Sequence, residues 1–457
     1  MNRNSFLRAL VSSLPLFYIN KAFSANSQLQ IAAIGVGGKG GSDLQQLSRH
    51  GKLIAACDVS SKKLNYALKN HPQTAKFSDY REMISHLGGQ IDVLSISAPD
   101  HIHAHAAQLA IDQGIHLFIQ TPLTHTVWEG RQILAGVLNK EICTQIGLQG
   151  CASDNFRRAV EFLRTHALGQ IEEVHVWTNR PLWPQAPEVD NRPVGSDPIP
   201  SGLSWNEFLG PAMERPYLDI YQPYNWRGWR SFGCGALGDV GLHLMNLPVM
   251  GLQLDPPLQV ECLSRGPHNL ETFSAWGIVK FEFLHKKERY TFPLHWYEGR
   301  VGHLGKESLG QPNTPPLHLF KGKKPSPSGC IIRGSQGTLY STSIYGNNWQ
   351  VFLDKKWMYP DELNLSLASL KRNGRGDAGM KDEFVQSIRA GKPDSSLANI
   401  SYAATLNEIA LLGNTSILGG GKFDWDGQNG ISNRADINGL LTKPYRNGWG
   451  VKKVSDN

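Results

Sequence analysis

The sequence predicts an α/β domain with a doubly wound parallel sheet, followed by an α+β domain with a large, mostly antiparallel sheet. Short apolar runs alternate with helix-like segments from about residue 29 to residue 150, as is typical of parallel strands joined by crossover helices. A glycine-rich turn follows the first apolar run. Beyond residue 171, runs of alternating polarity indicate strands with one solvated face. A chain of 457 residues is long enough for both domains.

The amino terminus is predicted to be an export signal, which we assign to residues 1–25. Arg3 and Arg8 give a basic start, and residues 9–19 form an apolar core that small residues follow. This start resembles a twin-arginine signal in which Asn4 replaces the second arginine; an ordinary secretory signal and an uncleaved tail are the alternatives. The apolar core is too short to span a bilayer, and no other stretch is a candidate span. We therefore expect an exported protein, periplasmic or secreted.

The parallel-sheet domain, assigned to residues 26–150, begins with a strand, a glycine turn, a helix, a second strand and an acid. The apolar run 31–36 leads into the sequence GVGGKG at 35–40, and the run 53–57 stops at Asp58. This order is typical of a dinucleotide-binding Rossmann unit. A glycine turn with a purely structural role is the alternative.

Each part of the turn has a physical role in such a unit. Gly35 allows the tight turn, Gly37 lets the backbone approach a pyrophosphate, and Gly40 permits close packing of helix on strand. Gly38 and Lys39 complete the turn, and the helix that starts there offers unpaired N–H groups to the phosphates. We predict that these five residues bind the cofactor.

The acid at the end of the second strand indicates which dinucleotide is bound. Asp58 is positioned to accept both hydroxyls of the adenosine ribose, and its charge repels a 2′-phosphate. NAD is therefore favoured over NADP, although Lys62 and Lys63 lie close enough to keep the preference modest.

The rest of the chain supplies the other predicted elements. In the first domain we expect helices at 61–70, 80–87, 102–113 and 127–138 and strands at 92–98, 115–119 and 142–148. In the second domain, residues 151–457, we expect strands at 173–179, 260–263, 275–283, 288–297, 330–333 and 338–341, and helices at 236–250, 377–389 and 402–417. The last two helices are expected to return to the domain junction. The Pro- and Trp-rich segment 180–230 is too long for a simple connection, so we predict that it covers a site.

Charge distribution and residue spacing argue against a nucleic-acid partner and against a metal site. The formal charge of +7 is spread along the chain without a dense Lys/Arg run, so nucleic acid is not an expected partner. The six cysteines lack zinc-like spacing, and Cys57 and Cys143 are predicted to be buried thiols. His101 and His105 share one helix face, but His103 turns away and no acid or cysteine set accompanies them. We predict no metal site.

The sequence resembles the Gfo/Idh/MocA oxidoreductase family, and in particular its exported bacterial members. The resemblance rests on AIGVGGKG, APDHIH, PLTHTVWEGR, WTNRPLWPQ, YNWRGWRSFGCGALGDVGLHLMN, LLGNTSILGGGKFDWD and YRNGW. It implies an NAD(P) site in the first domain and homo-oligomer contacts through the sheet of the second. It also implies reversible hydride transfer between nicotinamide and a secondary alcohol of a sugar or cyclitol.

The resemblance assigns chemistry to a histidine and an acid four residues apart. Asp239 and His243 lie in one helix-like run, so both side chains project from the same face. Their family position is beside the nicotinamide, with the imidazole as proton acceptor and the carboxylate as its orienter. A helix-capping acid and a core histidine are the alternative.

The sequence departs from the family at Thr121. Relatives carry Glu-Lys-Pro where this chain has Gln120, Thr121 and Pro122. The family lysine hydrogen-bonds the reacting hydroxyl, and a threonine hydroxyl lacks the positive charge that stabilises a developing alkoxide. Three outcomes stay open: His243 transfers the proton alone, another group substitutes for the lysine, or the chemistry is lost. The candidate substitutes are Arg180, Arg227 and a tyrosine of the loop 180–230. A second departure is Gln-Gly-Cys at 149–151, where exported relatives often end in His.

Further site residues follow from family position. The cofactor-binding set includes five residues near the nicotinamide end of the cleft: Pro99, Asp100, His103, Gln120 and Pro122. For Asp100 and His103, helix capping and surface exposure are the alternative.

The loop 180–230 supplies the expected substrate site. Its aromatic residues, with one tryptophan just before the loop, offer flat faces that stack on sugar C–H surfaces, and its arginines can bind hydroxyls or carboxylates. The predicted set is Trp177, Trp183, Trp226, Trp229, Tyr221, Tyr224, Arg180 and Arg227. Tyr221 and Tyr224 are also candidates for an alternative acid or base. A packed loop that uses its tryptophans as core is the alternative.

Three hypotheses about function follow. The first is an exported NAD-dependent oxidoreductase that acts on a sugar or sugar derivative. The second is a glycoside-cleaving enzyme that retains NAD and shows no net redox change. The third is a non-catalytic sugar- or dinucleotide-binding relative that lost the lysine.

Overall fold

A computed structural model of the chain describes residues 28–286, 288–302, 310–363 and 370–454. The predicted export signal lies outside these described residues. Among them, no helix combines the length and the apolar character needed to cross a bilayer.

The N-terminal domain contains a six-stranded parallel sheet. Its strands are β1 (Leu29–Ile34), β2 (Gly51–Cys57), β3 (Ala75–Phe77), β4 (Val93–Ile96), β5 (His116–Ile119) and β6 (Thr144–Ile146). Its helices, with the one that follows the sheet, are α1 (Lys39–Leu47), α2 (Ser61–Ala67), α3 (Tyr80–Leu87), α4 (Asp100–Asp112), α5 (Val127–Lys140) and α6 (Asp154–Arg164). The strand order β3-β2-β1-β4-β5-β6 is that of the Rossmann fold, which confirms the predicted fold class. The sequence analysis missed β3, which has only three residues, and α6.

Local capping explains where the helices of this domain begin. The Thr126 side chain accepts a hydrogen bond from the Glu129 backbone N–H at 3.2 Å, and the Glu129 carboxylate accepts one from the Thr126 N–H at 3.0 Å. This reciprocal capping box satisfies two otherwise unpaired donors at the start of α5. Asp79 caps α3 in a similar way by accepting from the Arg81 N–H at 2.8 Å.

The C-terminal domain is built on a second, eleven-stranded sheet. Its strands are β7 (Ile171–Thr178), β8 (Gln259–Arg265), β9 (Trp276–Leu284), β10 (Thr291–Val301), β11 (Gln311–Pro312), β12 (Ser328–Gly334), β13 (Thr338–Ser341), β14 (Trp349–Leu353), β15 (Lys356–Met358), β16 (Gly421–Asp426) and β17 (Ile431–Ser432). The main path is β15-β14-β13-β12-β7-β10-β9-β8-β16-β17, and β11 pairs with β10. Among the strands that the structure describes in this sheet, only β7 and β10 pair in parallel, so the predicted mostly antiparallel sheet is confirmed.

Two late helices return to the N-terminal domain. The helices of this half are α7 (Trp205–Leu209), α8 (Leu242–Gly251), α9 (Gly376–Ala390), α10 (Ile400–Gly419) and α11 (Ala435–Gly439). Met380 and Phe384 of α9 share a buried cluster with Leu44 of α1 and Phe118 of β5. Helix α10 is buried along most of its length and packs against α5. The two domains are therefore joined by extensive apolar contact.

The long segment 180–230 packs around aromatic residues of its own. Trp205, Tyr221 and Trp229 are buried in one cluster, and Trp229 has no exposed surface. Tyr221 and Trp229, which were predicted to face the substrate, thus form core together with Trp205. Trp177 in β7 is likewise fully buried, in a different cluster, so the prediction is wrong for these three aromatic residues. Other residues of the segment 180–230 reach the cavity described below.

Glu298 on β10 gives the structure a testable pH dependence. Only 2% of this residue is exposed, and burial raises the pKa of its carboxyl to about 8, opposed by a hydrogen bond from Trp296 Nε1 at 3.0 Å. The folded state keeps this proton up to about pH 8, whereas the unfolded chain releases it near pH 4.5. Folding stability attributable to this group is therefore lost as the pH rises across that window.

We expect Glu298→Gln to flatten the dependence of stability on pH. Urea unfolding between pH 5 and pH 9 measures the free energy of unfolding of the wild type and the variant. The wild type should lose a few kcal/mol more than the variant across this range. Parallel curves for the two proteins would contradict a neutral, buried Glu298.

Candidate functional site

A cavity of about 510 Å³ lies between the two domains. The glycine turn at 35–40 and Asp58 line one end of it. Residues from the ends of β4 and β5, among them Pro99, Gln120 and Thr121, line its floor. Side chains of the C-terminal domain, including Arg227 and His243, line the rest. The carboxyl ends of the parallel strands thus open into one cleft, where α/β proteins bind ligands.

The glycine turn is too crowded for side chains at two of its positions. Gly35 has a φ of +75°, and a Cβ there would lie 2.5 Å from the Ser97 carbonyl oxygen. A Cβ on Gly40 would lie 2.0 Å from the Gly35 carbonyl oxygen, because α1 packs directly on the turn. At Gly37 the nearest atoms belong to the flexible Lys63 side chain. The backbone at this position therefore faces the cavity and only a movable side chain.

The acid at the end of β2 faces the same cavity. Asp58 accepts hydrogen bonds from the backbone N–H groups of Val36 and Ser60, both at 2.9 Å. These two bonds fix the carboxylate beside the glycine turn, and each oxygen keeps a further acceptor site. The exposed Lys63 also lines the cavity here.

His243 stands at the other end of the cavity. Its Nε2 lies 3.2 Å from the Thr121 hydroxyl oxygen, and Tyr345 packs edge-to-face on its ring with centroids 5.2 Å apart. Its Nδ1 is buried without a hydrogen-bond partner among the described residues. Burial lowers the pKa of His243 to about 4; Lys39 and Arg180 lower it further, and Asp239 opposes them. The ring is therefore neutral near pH 7 and able to accept a proton.

Asp239 lies close to His243 but bonds to a different residue. The segment Leu237–Gly241 is a π-helix that leads into α8, so the predicted regular helix over 236–250 is interrupted at this point. The Asp239 carboxylate accepts a hydrogen bond from Arg227 Nε at 3.0 Å. It acts on His243 through its charge, while the orienting hydrogen bond that the sequence suggested is absent. The wider π turn is the physical reason, since it changes how residues four apart project.

Asp100 adds a second carboxylate to this end of the cavity. It is 4% exposed and accepts a hydrogen bond from the Cys234 N–H at 2.9 Å. Burial raises the pKa of Asp100 to about 7; Arg227 lowers it and Asp239 raises it. One arginine thus faces two carboxylates.

His103 and Pro122, which were predicted to bind the cofactor, lie outside the lining of the cavity. His103 is fully buried, and its ring nitrogens lie 2.7 Å from the Pro122 carbonyl oxygen and 2.8 Å from the Ala98 carbonyl oxygen. His103 therefore links the loop that follows β4 to the loop that follows β5. The Thr121–Pro122 peptide bond in the second of these loops is cis.

The predicted substrate residues divide into two groups. Tyr224, Trp226 and Arg227 line the cavity, and the Arg227 guanidinium lies 4.4 Å from the centroid of each aromatic ring. Arg180 and Trp183 do not line it. Arg180 donates to the Tyr224 hydroxyl at 3.2 Å, and the buried Trp183 packs edge-on against the Tyr224 ring. They therefore position Tyr224.

Sequence reasoning missed four residues that the structure brings to this region. Tyr345 and Gln149 line the cavity, while Asp43 and Lys381 lie behind its floor. Asp43 is four residues after Lys39 on α1, a helical spacing that could have indicated an ion pair. Lys381 lies far along the chain, and no local pattern brings it to this site.

The arrangement suits a dinucleotide at one end and proton chemistry at the other. The close-packed turn, the first N–H groups of α1 and the fixed Asp58 match the phosphate and ribose groups of such a cofactor. Three cationic residues, Lys39, Lys63 and Arg227, line the cavity among the described residues.

Residues 29–147 match the family model described as "Oxidoreductase family, NAD-binding Rossmann fold". This match confirms the family resemblance for the N-terminal domain and NAD as its cofactor. A levoglucosan dehydrogenase from Pseudarthrobacter phenanthrenivorans is 25% identical over 171 residues, which are 37% of this chain and 35% of that protein. A glycosyl hydrolase family 109 protein from Saccharopolyspora erythraea is 29% identical over 165 residues, 33% of this chain and 35% of the relative. The chain thus spans about a third of the length of these two relatives.

Solved structures support the same fold over nearly the whole chain. The WlbA dehydrogenase from Bordetella pertussis, in complex with NADH and UDP-GlcNAcA, superposes with a TM-score of 0.60 at 14% identity. The match covers 88% of this chain and 99% of that one. A myo-inositol 2-dehydrogenase from Lactobacillus plantarum gives a TM-score of 0.54 at 19% identity, covering 87% and 99%. At these identities the likeness shows the fold alone.

Proposed function

We propose that the protein is a member of the Gfo/Idh/MocA oxidoreductase family, whose model matches residues 29–147, and that it is an NAD-dependent sugar oxidoreductase. It transfers hydride between nicotinamide and a secondary alcohol of a sugar or sugar derivative. The single observation that carries this proposal is the continuous cavity. It joins the glycine turn and Asp58 at one end to His243, Thr121 and Arg227 at the other.

The residues at the first end would hold NAD. The N-terminus of α1 and the glycine turn would receive the pyrophosphate, and Asp58 would accept the ribose hydroxyls. When bound, NAD supplies the acceptor for the hydride. Lys39 and Lys63 line this end and add positive charge near the phosphates.

His243 is assigned as the proton acceptor. When an alcohol is oxidised, its carbon loses hydride and its hydroxyl loses a proton, so a neutral base must face the oxygen. The pKa of about 4 keeps the imidazole unprotonated at neutral pH. The Thr121 hydroxyl at 3.2 Å from Nε2 orients the ring, and Asp239 stabilises its protonated form through charge.

Arg227 is the best-placed cation to take over from the absent lysine. It lines the cavity, its Nε is bonded to Asp239, and the rings of Tyr224 and Trp226 flank its guanidinium. A positive charge held so firmly can stabilise an alkoxide without reorganising. The same aromatic rings present faces suited to the C–H surface of a sugar.

The proposal is tested with the purified protein. Denaturation followed by chromatography shows whether NAD is retained, and titration with added NAD measures affinity. Incubation with a panel of sugars and cyclitols should then produce NADH absorbance with at least one of them. A protein with no affinity for NAD would refute the assignment.

The glycosyl hydrolase family 109 relative favours a second candidate, redox-neutral glycoside cleavage. In that case glycosides release free sugar while no net NADH accumulates. The two candidates therefore differ in one assay that monitors both products. Bound NAD with neither activity, and no gain in the Thr121→Lys variant, would support a non-catalytic binding protein instead.

We also propose that the protein is exported and forms a homo-oligomer through the C-terminal sheet. Cell fractionation with an antibody against the chain locates the protein, and light scattering gives its mass in solution. A cytoplasmic pool alone, or a monomer at assay concentration, would contradict these two parts.

Thr121→Val is expected to lower turnover about tenfold while leaving NAD affinity unchanged. The change keeps the side-chain shape but removes the hydroxyl that lies 3.2 Å from His243 Nε2. Loss of one such hydrogen bond costs up to about 1.4 kcal/mol, which is a tenfold change in rate. Steady-state kinetics and NAD titration measure the two effects separately. The matched control is Thr165→Val, a hydroxyl that bonds only its own helix end, remote from the cavity.

A further inference from the structure

A buried carboxylate lies directly behind the floor of the cavity. Asp43 on α1 has no exposed surface. It accepts hydrogen bonds from the Ser97 hydroxyl at 3.0 Å and from the Gln120 side-chain amide at 2.7 Å. Two ammonium groups also contact it, Lys39 at 2.5 Å and Lys381 at 2.8 Å. Four donors from four separate parts of the chain therefore converge on one carboxyl group.

Two lysines and two aspartates form a cluster with balanced charge: Lys39, Lys381, Asp43 and Asp377. Lys381 of α9 is completely buried and bonds to both Asp43 and Asp377, at 2.8 Å and 2.6 Å. Lys39 joins the same two acids, the second at 2.9 Å. Burial lowers the pKa of Lys381, and the two carboxylates oppose that change. Removing one member of such a set leaves an uncompensated buried charge, which is far more costly than the intact pairs are stabilising.

The cluster explains why residue 120 is an amide. The Gln120 side chain donates to Asp43 through Nε2, and its Oε1 accepts from Gln149 Nε2 at 3.3 Å. A glutamate at this position would set two carboxylates against each other at hydrogen-bonding distance. The presence of Asp43 therefore favours glutamine over glutamate at position 120.

We propose that Asp43 is a positioning residue that couples docking of α9 to binding of the dinucleotide. The idea rests on the proposed function, since it concerns the same site. Through Gln120, Asp43 fixes the end of β5 that carries Thr121 beside His243. Through Lys381, it holds α9 of the C-terminal domain against α1, the helix that follows the glycine turn.

Lys39 supplies the physical route for this coupling. Of the four charged residues, it is the one that also lines the cavity, at the N-terminus of α1 where phosphates bind. A bound pyrophosphate competes with Asp43 and Asp377 for its ammonium group. Once Lys39 turns toward the ligand, it gives up its partly exposed contact with Asp377 of α9, and Lys381 becomes the counter-charge of both acids. The link between α9 and α1 then rests on the completely buried Lys381–Asp43 pair, which strengthens because Asp43 has lost its other cation. Coupling between two binding events is reciprocal, so loss of Lys381 must weaken binding of the dinucleotide.

A charge exchange between positions 43 and 120 tests the contact. NAD affinity is measured by calorimetry for the wild type, Gln120→Glu, Asp43→Asn and the double variant. We expect each single variant to bind NAD about tenfold more weakly or worse at pH 8. The double variant restores a carboxylate–amide pair with the roles exchanged, and its affinity should return to within about threefold of the wild type.

The pH profile separates this pairing from general damage to the fold. At pH 6 a proton shared between Asp43 and the carboxyl group introduced at position 120 recreates a donor, so the Gln120→Glu variant should recover part of its affinity. The matched control is Gln45→Glu, the same change on the exposed face of α1. It should bind NAD like the wild type at both pH values. Wild-type affinity in Gln120→Glu, or a double variant no better than the weaker single variant, overturns the proposal.

Hydrogen exchange of α9 tests the coupling itself. Saturating NAD should slow amide exchange in α9 of the wild type, and Lys381→Met should abolish this effect and weaken NAD binding about tenfold. The exposed Lys392, just beyond α9, provides the control Lys392→Met. Unchanged exchange in α9 with NAD bound would overturn the coupling but leave the proposed function intact. A wild type that binds no NAD would refute both the coupling and the proposed function. In that case thermal unfolding without NAD, for the wild type and the three variants at positions 43 and 120, would still test the contact between Asp43 and Gln120.

Discussion

Replacing Gly40 with alanine should lower the free energy of unfolding by roughly 3 kcal/mol or more and weaken NAD binding on the order of 100-fold. The new Cβ would lie 2.0 Å from the Gly35 carbonyl oxygen and 3.0 Å from the Ser97 Cβ. The first of these neighbours is backbone in a tight turn, so it cannot move aside without displacing α1. Because the N-terminus of that helix forms the pyrophosphate site, the same shift removes stability and affinity together.

Denaturant unfolding and NAD titration of the same protein measure the two effects. The control is Gly439→Ala, since a Cβ at this helical position would meet nothing within 4 Å. Alanine favours helix over glycine, so the control should be neutral or slightly more stable. A Gly40→Ala protein that binds NAD like the wild type would show that the turn is only a structural feature.

Replacing His243 with glutamine should reduce turnover by roughly 10²- to 10⁴-fold while changing NAD affinity little. The amide retains a polar atom that can reach the Thr121 hydroxyl, but it cannot take up the proton that an alcohol releases. The expected loss is therefore in the chemical step. Steady-state kinetics with the best sugar of the panel, together with NAD titration, separate the two quantities.

The pH dependence of turnover is a second test of the role of His243, with the same variant. Burial lowers the pKa of His243 to about 4. The imidazole is therefore the unprotonated base at all pH values well above 4, and alcohol oxidation by the wild type should decline only as the pH approaches that value. The glutamine variant should lack this decline. His318→Gln, an exposed histidine outside the cavity, serves as the control. A His243→Gln enzyme with near wild-type turnover would exclude His243 as the base.

Much of the N-terminal domain could be predicted because its signals are local. A parallel strand is buried on both faces and reads as an apolar run, and the glycines at 35 and 40 are required by contacts within one short turn. The predicted helix 80–87 coincides with α3, whose start Asp79 caps. The strand β3, with three residues, is too short to carry a pattern.

The candidate site was predictable only in part. Its residue types were visible in the sequence, but the partners of those residues were not. Asp239 bonds to Arg227 because a π-helix turns it away from the geometry that regular spacing implied. Trp183 stands behind Tyr224 because the loop folds around its own aromatic core. Such outcomes depend on packing between distant segments, which no local pattern records.

By itself, the sequence determined a dinucleotide unit, a second mostly antiparallel sheet and a family resemblance that the match over residues 29–147 supports. Only the tertiary structure decided that Asp43 pairs with Lys381, 338 positions away along the chain. It also decided that the Gln120 side chain, next to Thr121 in the sequence, donates to Asp43. The physical reason is the cost of burying charge. A buried carboxylate is tolerated only where donors converge on it, and the fold alone decides which donors arrive.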